Sequence, residues 1–186
     1  MPNFTADSDL LPFEPRVFHE LPFAGQTKLR VTDAQLDGAT LTSAAGGFSA
    51  LAPGDVALLG EGAYAIVSIE DDNTLTLAPA PVDITDSTMI VRTLAPQAML
   101  AHEHILQALG RTEEEIENRD LVARLEALCT LSIAYAAGVS VLGDSARLLE
   151  KLERYRRQYL REWTAATILL DDQTVIRPGV GRVIRN

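Results

Sequence analysis

At 186 residues the chain is long enough for one medium domain or two small ones. Hydrophobic residues make up 47% and charged residues 23%, an ordinary globular balance that excludes disorder of the whole chain. The net charge of −10 excludes tight wrapping of nucleic acid, which needs clustered positive charge, but not a surface that a duplex merely passes.

The charge is unevenly spread. Residues 1–93 carry 13 acidic and 4 basic side chains, net −9, whereas residues 94–186 carry 13 and 12, net −1. This asymmetry predicts two structural units. Cys129 is the only cysteine, so neither an intrachain disulfide framework nor a thiolate zinc cluster is available, and a reducing compartment is expected.

Residues 1–22 contain Pro2, Pro12, Pro15 and Pro22 with Phe4, Phe13 and Phe18 between them. Proline stops helices and favours extended backbone, which predicts an extended N-terminal arm anchored on its own barrel or on a neighbouring subunit. Met1–Leu11 has neither a basic nor an apolar signal region, so no signal peptide is expected. Over 23–93, short β-prone runs alternate with turn signals. The runs are Gln26–Val31, Ala39–Thr42, Val56–Leu59, Ala63–Ile69, Thr74–Leu77 and Met89–Thr93. The turns are Asp37-Gly38, Pro53-Gly54-Asp55, Gly60-Glu61-Gly62 and Asp71-Asp72-Asn73. Six closely spaced strands indicate a small antiparallel β-barrel or sandwich. Ala44-Ala45-Gly46-Gly47 lacks the lysine of a phosphate loop and reads as a flexible hairpin tip.

From Pro96 the hydrophobic period changes to that of helices, which predicts a helical bundle over 94–172. The first helix opens at Pro96, buries Met99, His102, Ile105, Leu106 and Leu109, and closes at Gly110. A second opens on the Thr112–Glu115 capping box, restarts near Asp120, carries Leu121, Leu125, Leu128, Ser132 and Tyr135 in register, and ends at Gly138. Ala127–Gly143 is nearly uncharged, but its flanks and length favour a helix buried in protein, with no membrane contact. Val139–Gly143 then reads as a short link, and Asp144 as the cap of one long amphipathic helix to Asp172, about 25 residues and ~37 Å. Its stripe is Leu148, Leu152, Tyr155, Tyr159, Trp163 and Ala166, with arginines around it. A basic, extended C-terminal arm over 173–186 follows, carrying Arg177, Arg182 and Arg185. The fold class is therefore α+β.

The candidate chemistry is sparse. His102-Glu103-His104 places its histidines two apart on a helix, where they diverge rather than chelate, and His102 reads as a boundary histidine. Asp71-Asp72 and Asp171-Asp172 lack the further oxygens of a calcium loop; Asp171-Asp172 reads as the polar exit of the long helix. Cys129 sits in an apolar helix as an inert thiol. No metal, cofactor or catalytic residue is expected. Arg154, Arg156, Arg157 and Arg161 have three readings: a solvated face, a nucleic-acid contact, or a contact with acidic surfaces of neighbouring copies.

The run of two shorter helices, a link, and a long helix of pattern Leu152-x-x-Tyr155-Arg156-Arg157-x-Tyr159, followed by Asp171-Asp172 and an arginine-bearing tail, resembles the head–tail connector (adaptor or neck) proteins of tailed bacteriophages. The resemblance covers roughly Pro96–Arg185; the barrel departs from the smallest, nearly all-helical members. It implies a non-enzymatic virion protein of the neck, assembled in the host cytoplasm as a homo-oligomeric ring, commonly a dodecamer. Its partners would be the portal protein, a tail or stopper protein, and DNA passing without sequence-specific binding. It also implies that Arg154, Arg156, Arg157, Arg161, Arg177, Arg182 and Arg185 face other subunits or the portal. An acidic lumen suits a duplex that must slide. The alternatives are another phage tail or neck protein, a ligand-binding module, and an enzyme whose site only the fold would reveal.

Overall fold

The computed structural model describes residues 4–79, 84–143, 145–171, 174–178 and 182–184. The chain divides into two compact units. One is Ala6–Leu94; the other runs from Ala95 onward and includes the described residues Phe4 and Thr5. Helices and strands are mixed, as an α+β chain requires.

The first unit is a closed, antiparallel six-stranded barrel. Its strands are β1 (Thr27–Asp37), β2 (Thr40–Thr42), β3 (Val56–Leu59), β4 (Gly62–Asp71), β5 (Thr74–Ala78) and β6 (Ile84–Arg92), in the order β1-β2-β5-β4-β3-β6. β6 closes the barrel by pairing with both β1 and β3, which leaves no open sheet edge. The interior is filled by Val31, Leu36, Leu41, Phe48, Ile66, Leu75, Leu77, Met89 and Val91. β1 runs six residues further at its C-terminal end than the Gln26–Val31 run predicts. Its inward positions change phase between Val31 and Ala34, where the pairing with β6 also shifts register. A bulge hides the continuing strand from a strict two-residue alternation.

In the segment expected as an extended arm over 1–22, the described residues 4–22 are folded; residues 1–3 lie outside the described residues. A 3-10 turn at Asp7–Leu10 leads to a one-turn helix, α1 (Val17–Glu20). Leu10, Val17, Phe18 and Leu21 are buried. Asp9 accepts the Ala6 N–H at 2.8 Å and Asp7 accepts the Leu94 N–H at 2.9 Å. The prolines punctuate turns here instead of drawing the backbone out. α1 packs on β3, whose four residues are all buried although only Ala57 and Leu59 belong to the barrel core. A strand covered on both faces reads as a continuous apolar run, which is what Val-Ala-Leu-Leu is. The Gly46-Gly47 tip is pinned: Asp72 accepts from Gly47 N, Ser49 N and Ser49 Oγ, and Asp33 accepts from Ser43 Oγ and Ala45 N.

In the second unit, α2 (Ala95–Leu109), α3 (Arg119–Leu142) and α4 (Ala146–Ala165) are joined in sequence, with α3 packed against both others. A small antiparallel sheet of β7 (Ile168–Leu169), β8 (Val175–Arg177) and β9 (Arg182–Ile184) follows, in that order. Four boundaries differ from expectation. Thr112 and Glu115 do form a capping box, but it closes only a 3-10 turn over Glu113–Glu115, and the helix begins at Arg119. Gly138 is buried inside α3, which continues to Leu142 and breaks at Gly143, where φ is +94°. The α4 cap is the Ser145 side chain, which accepts from Leu148 N; Asp144 lies outside the described residues. Finally, α4 has 20 residues rather than about 25, because Ala166 turns extended and Ile168 enters β7. The β-prone Thr167-Ile168-Leu169-Leu170 gains more by burial than by continuing the helix, with Ile168 and Leu170 almost fully enclosed. Asp171 therefore leaves β7, not a helix, and donates its N–H to the Glu115 carbonyl; Asp172 lies outside the described residues.

The stretch expected as an extended C-terminal arm over 173–186 contributes β8 and β9, so its described part pairs with β7. α3 is long and apolar enough to cross a membrane by length and composition, but it is the central helix of this unit and carries the buried Glu126. On α2, Met99 is half exposed, and Gln97, Ala98 and Ala101 join His102, Ile105 and Leu109 in the buried face.

Candidate assembly face

α4 divides its surface sharply. Leu148, Tyr155 and Tyr159 are buried, Leu152 and Trp163 half-buried, and Tyr135 of α3 stacks on Tyr155 with ring centres 5.7 Å apart and planes 10° from parallel. Such a stack adds orientation to the area it buries. Tyr159 packs beside Trp163 at 5.8 Å and hydrogen-bonds Cys129. Burial pushes the Cys129 thiol up to about 11, so at neutral pH it is protonated and inert. A two-pronged ion pair, Arg124 Nε and Nη2 to Glu162 at 2.6 and 3.0 Å, ties the far end of α4 to α3. Arg124, more than the lesser bond from Gln158, holds the Glu162 carboxyl below its usual range.

The four arginines of α4 are all exposed, but they do not form one patch. At about 100° per residue, positions 154, 157 and 161 fall within roughly 60° of one another, whereas 156 points to the other side. Accordingly Arg154, Arg157 and Arg161, with Gln158, line an open depression of about 350 Å³. Arg154 also lies over the Tyr155 ring at 5.0 Å, and Arg157 Nε donates to the Glu153 carbonyl at 3.2 Å. Arg156 instead borders a mainly apolar groove of about 370 Å³ with Leu100, His104, Cys129, Ile133, Tyr159 and Leu160. Arg177 is exposed on β8, and the strand register sets it opposite Arg182 on β9; Arg185 lies outside the described residues. Met99, Leu100, Val141, Leu142, Leu149 and Leu160 add exposed apolar surface to the same unit.

His102 is the site residue that sequence reasoning misplaced. It is not at a boundary: it is 3% exposed, and its Nδ1 lies 2.8 Å from Oε2 of Glu126, which is 0% exposed. The other Glu126 oxygen accepts the Thr5 N–H at 3.0 Å, Thr5 Oγ1 donates to the Ala123 carbonyl, and the Phe4 ring lies 5.2 Å from the imidazole. Burial raises the Glu126 carboxyl above its usual range, with the His102 bond pulling the other way. Glu126 carried no signal of its own in the sequence, because nothing local marks which helical glutamate meets a histidine 24 residues earlier. No group of three or more metal-ligating side chains occurs among the described residues, and His104 is exposed, apart from His102.

Comparison of the chain with protein families, with curated proteins and with solved structures finds no match.

Proposed function

We propose that this protein is a structural subunit of a tailed-phage head–tail connector, assembling as a ring between portal and tail through which DNA passes. The observation that carries this reading is the division of α4. A helix whose apolar stripe is already satisfied within its own unit presents three arginines around one depression on its outer side. Arginine suits interface ion pairs through its planar fork, and the residue 1–93 half, net −9, supplies acidic surface for a neighbouring copy. In this reading α2, α3 and α4 form the ring-building bundle. The C-terminal strands are the arm, able to add to a neighbour's sheet edge through β9, because the outer edge of β7 already bonds Glu115 and Glu117. Repetition of a −10 subunit around a ring would line the passage with negative potential, over which a duplex slides without sticking.

The test is particle mass and negative-stain imaging of the purified protein, alone and mixed with a portal protein. Rings, with the Arg154→Glu/Arg157→Glu/Arg161→Glu variant failing to form them while keeping its helical circular dichroism, support the proposal. A wild-type protein that stays monomeric at every concentration and beside the portal overturns it.

A further inference from the structure

His102 lies at the floor of a pocket of about 460 Å³, built within the helical unit from Leu106, Arg111, Thr112, Glu113, Glu114 and Arg119. The state of its ring follows from charge balance. A carboxylate with no exposure cannot stay ionised beside a neutral partner without a large desolvation cost. Glu126 Oε1 accepts the Thr5 N–H, so a proton on the carboxyl sits on Oε2, facing Nδ1, and two electroneutral arrangements of the Glu126–His102 pair remain. In one, a carboxylate faces an imidazolium, so both ring nitrogens carry hydrogen. In the other, a neutral carboxyl donates to Nδ1, so the hydrogen of the ring sits on Nε2. In both, His102 Nε2 is an N–H donor. That donor is buried and has no hydrogen-bond partner. Its nearest carboxylate, Glu113 Oε2, is 3.9 Å away, beyond bonding range, and the other Glu113 oxygen is 3.6 Å from Arg119 Nη1, also long. Arg111 reaches Glu115 at 3.1 Å on the pocket's other side.

We propose that this pocket binds a carboxylate group, which accepts from His102 Nε2 and from Arg119 and displaces Glu113. Glu113 marks where the carboxylate goes: it stands between the two donors, near enough to define the position and too far to satisfy either. It sits on the three-residue 3-10 turn Glu113–Glu115. The lining sets Arg111 and Arg119 against Glu113 and Glu114, so withdrawing the Glu113 carboxylate leaves one net positive charge, which one carboxylate group matches. A planar two-oxygen acceptor matches an arginine fork, and Leu106 gives one apolar wall. The carboxylate comes either from a small organic acid or from an acidic side chain of a second copy. The proposal stands independently of the connector reading.

The test follows the His102 ring nitrogens by ¹⁵N NMR of the full chain, where only three histidines contribute. Acetate, succinate and inorganic phosphate are titrated at matched ionic strength, and the protein is separately diluted with no added acid. The expected result is a saturable movement of the Nε2 resonance with acetate and succinate. Arg119→Ala should weaken it about tenfold through loss of a charged donor, and Glu113→Gln should tighten it about threefold by removing the competing carboxylate. Movement on dilution that is lost in Arg119→Ala supports the same site and assigns the carboxylate to a second copy. Circular dichroism checks that each variant is folded. No saturable movement with the acids or on dilution, in wild type and in Glu113→Gln, overturns the proposal. So does a response to phosphate alone, or a succinate affinity indifferent to Arg119→Ala.

Discussion

Replacing Glu126 by alanine tests whether the buried pair holds the helical unit together. The carboxylate accepts from Thr5 N at 3.0 Å and lies 2.8 Å from His102 Nδ1, in a place with no exposure to solvent. Alanine leaves both groups buried without their hydrogen-bond partner, and breaking a buried pair from one side costs about 3–5 kcal/mol. With a urea dependence of about 2 kcal/mol per molar, the unfolding midpoint should fall by about 1.5–2.5 M. Trp163 is the only tryptophan and lies in α4, so its fluorescence reports this unit selectively. The double variant His102→Leu/Glu126→Leu removes both polar groups at once and should recover most of the loss, because a matched apolar pair has nothing left unsatisfied. A Glu126→Ala cost below about 1 kcal/mol, or a double variant as unstable as the single one, would refute the reasoning.

Three further outcomes follow from the same structure. Gly54 has φ +94°, and a side chain there would come within 2.9 Å of the Ala6 Cβ, so Gly54→Ala should lower barrel stability by about 2 kcal/mol or more, read as faster amide exchange in β3 and β4. Cys129, with its thiol pushed up to about 11, should resist iodoacetamide at pH 8 in the native protein and react promptly in urea. Asp72 is held below the usual carboxylate range chiefly by the Ser49 hydroxyl, and Asp33 by the Ser43 hydroxyl. A folded value below the unfolded one means a contribution present above about pH 4 and lost as pH falls through the folded value. Protection of the Gly47 and Ser49 amides, taken relative to the intrinsic exchange rate at each pH, should therefore fall below that range, and in Asp72→Asn it should already be low at neutral pH.

The elements legible in the sequence were those with an unbroken local pattern. Val56–Leu59 matches β3 residue for residue, and the Asp37-Gly38 and Asp71-Asp72-Asn73 turns join the strands they were expected to join. What escaped was set by contacts distant along the chain. The proline-rich start looks extended until the uncovered outer face of β3 is known; only then does burial of Val17 and Phe18 repay the turn. Gly138 looks like a terminator until α3 proves to be the central helix, where its neighbours supply the stability that the glycine lacks. The Arg124–Glu162 pair spans 38 residues, and the Glu126–His102 pair joins two helices, so no spacing rule announces either. The arginines of α4 were visible at once, but their division into Arg154, Arg157 and Arg161 on one side and Arg156 on the other needed the helix phase that burial of Tyr155 and Tyr159 fixes.

One variant on that helix tests the proposed assembly surface against a merely solvated face. As an isolated helix, α4 is not well served by Arg157. It attracts Glu153 at i−4 but repels Arg154 at i−3 and Arg161 at i+4. Glutamate there would reverse all three relations, turning two repulsions into attractions and one attraction into a repulsion. A pair is worth about 0.2–0.5 kcal/mol, so a reversal of sign is worth about 0.4–1 kcal/mol; two favourable reversals against one unfavourable leave Arg157→Glu stabilising the lone subunit by about 0.4–1 kcal/mol. If the arginines meet the acidic surface of a neighbouring copy or the portal, the same change should abolish or weaken ring formation. Stability and assembly then move in opposite directions in one variant, measured by tryptophan-detected unfolding and by particle mass. A solvated face predicts the gain in stability with assembly untouched, and that result would remove these arginines from the interface.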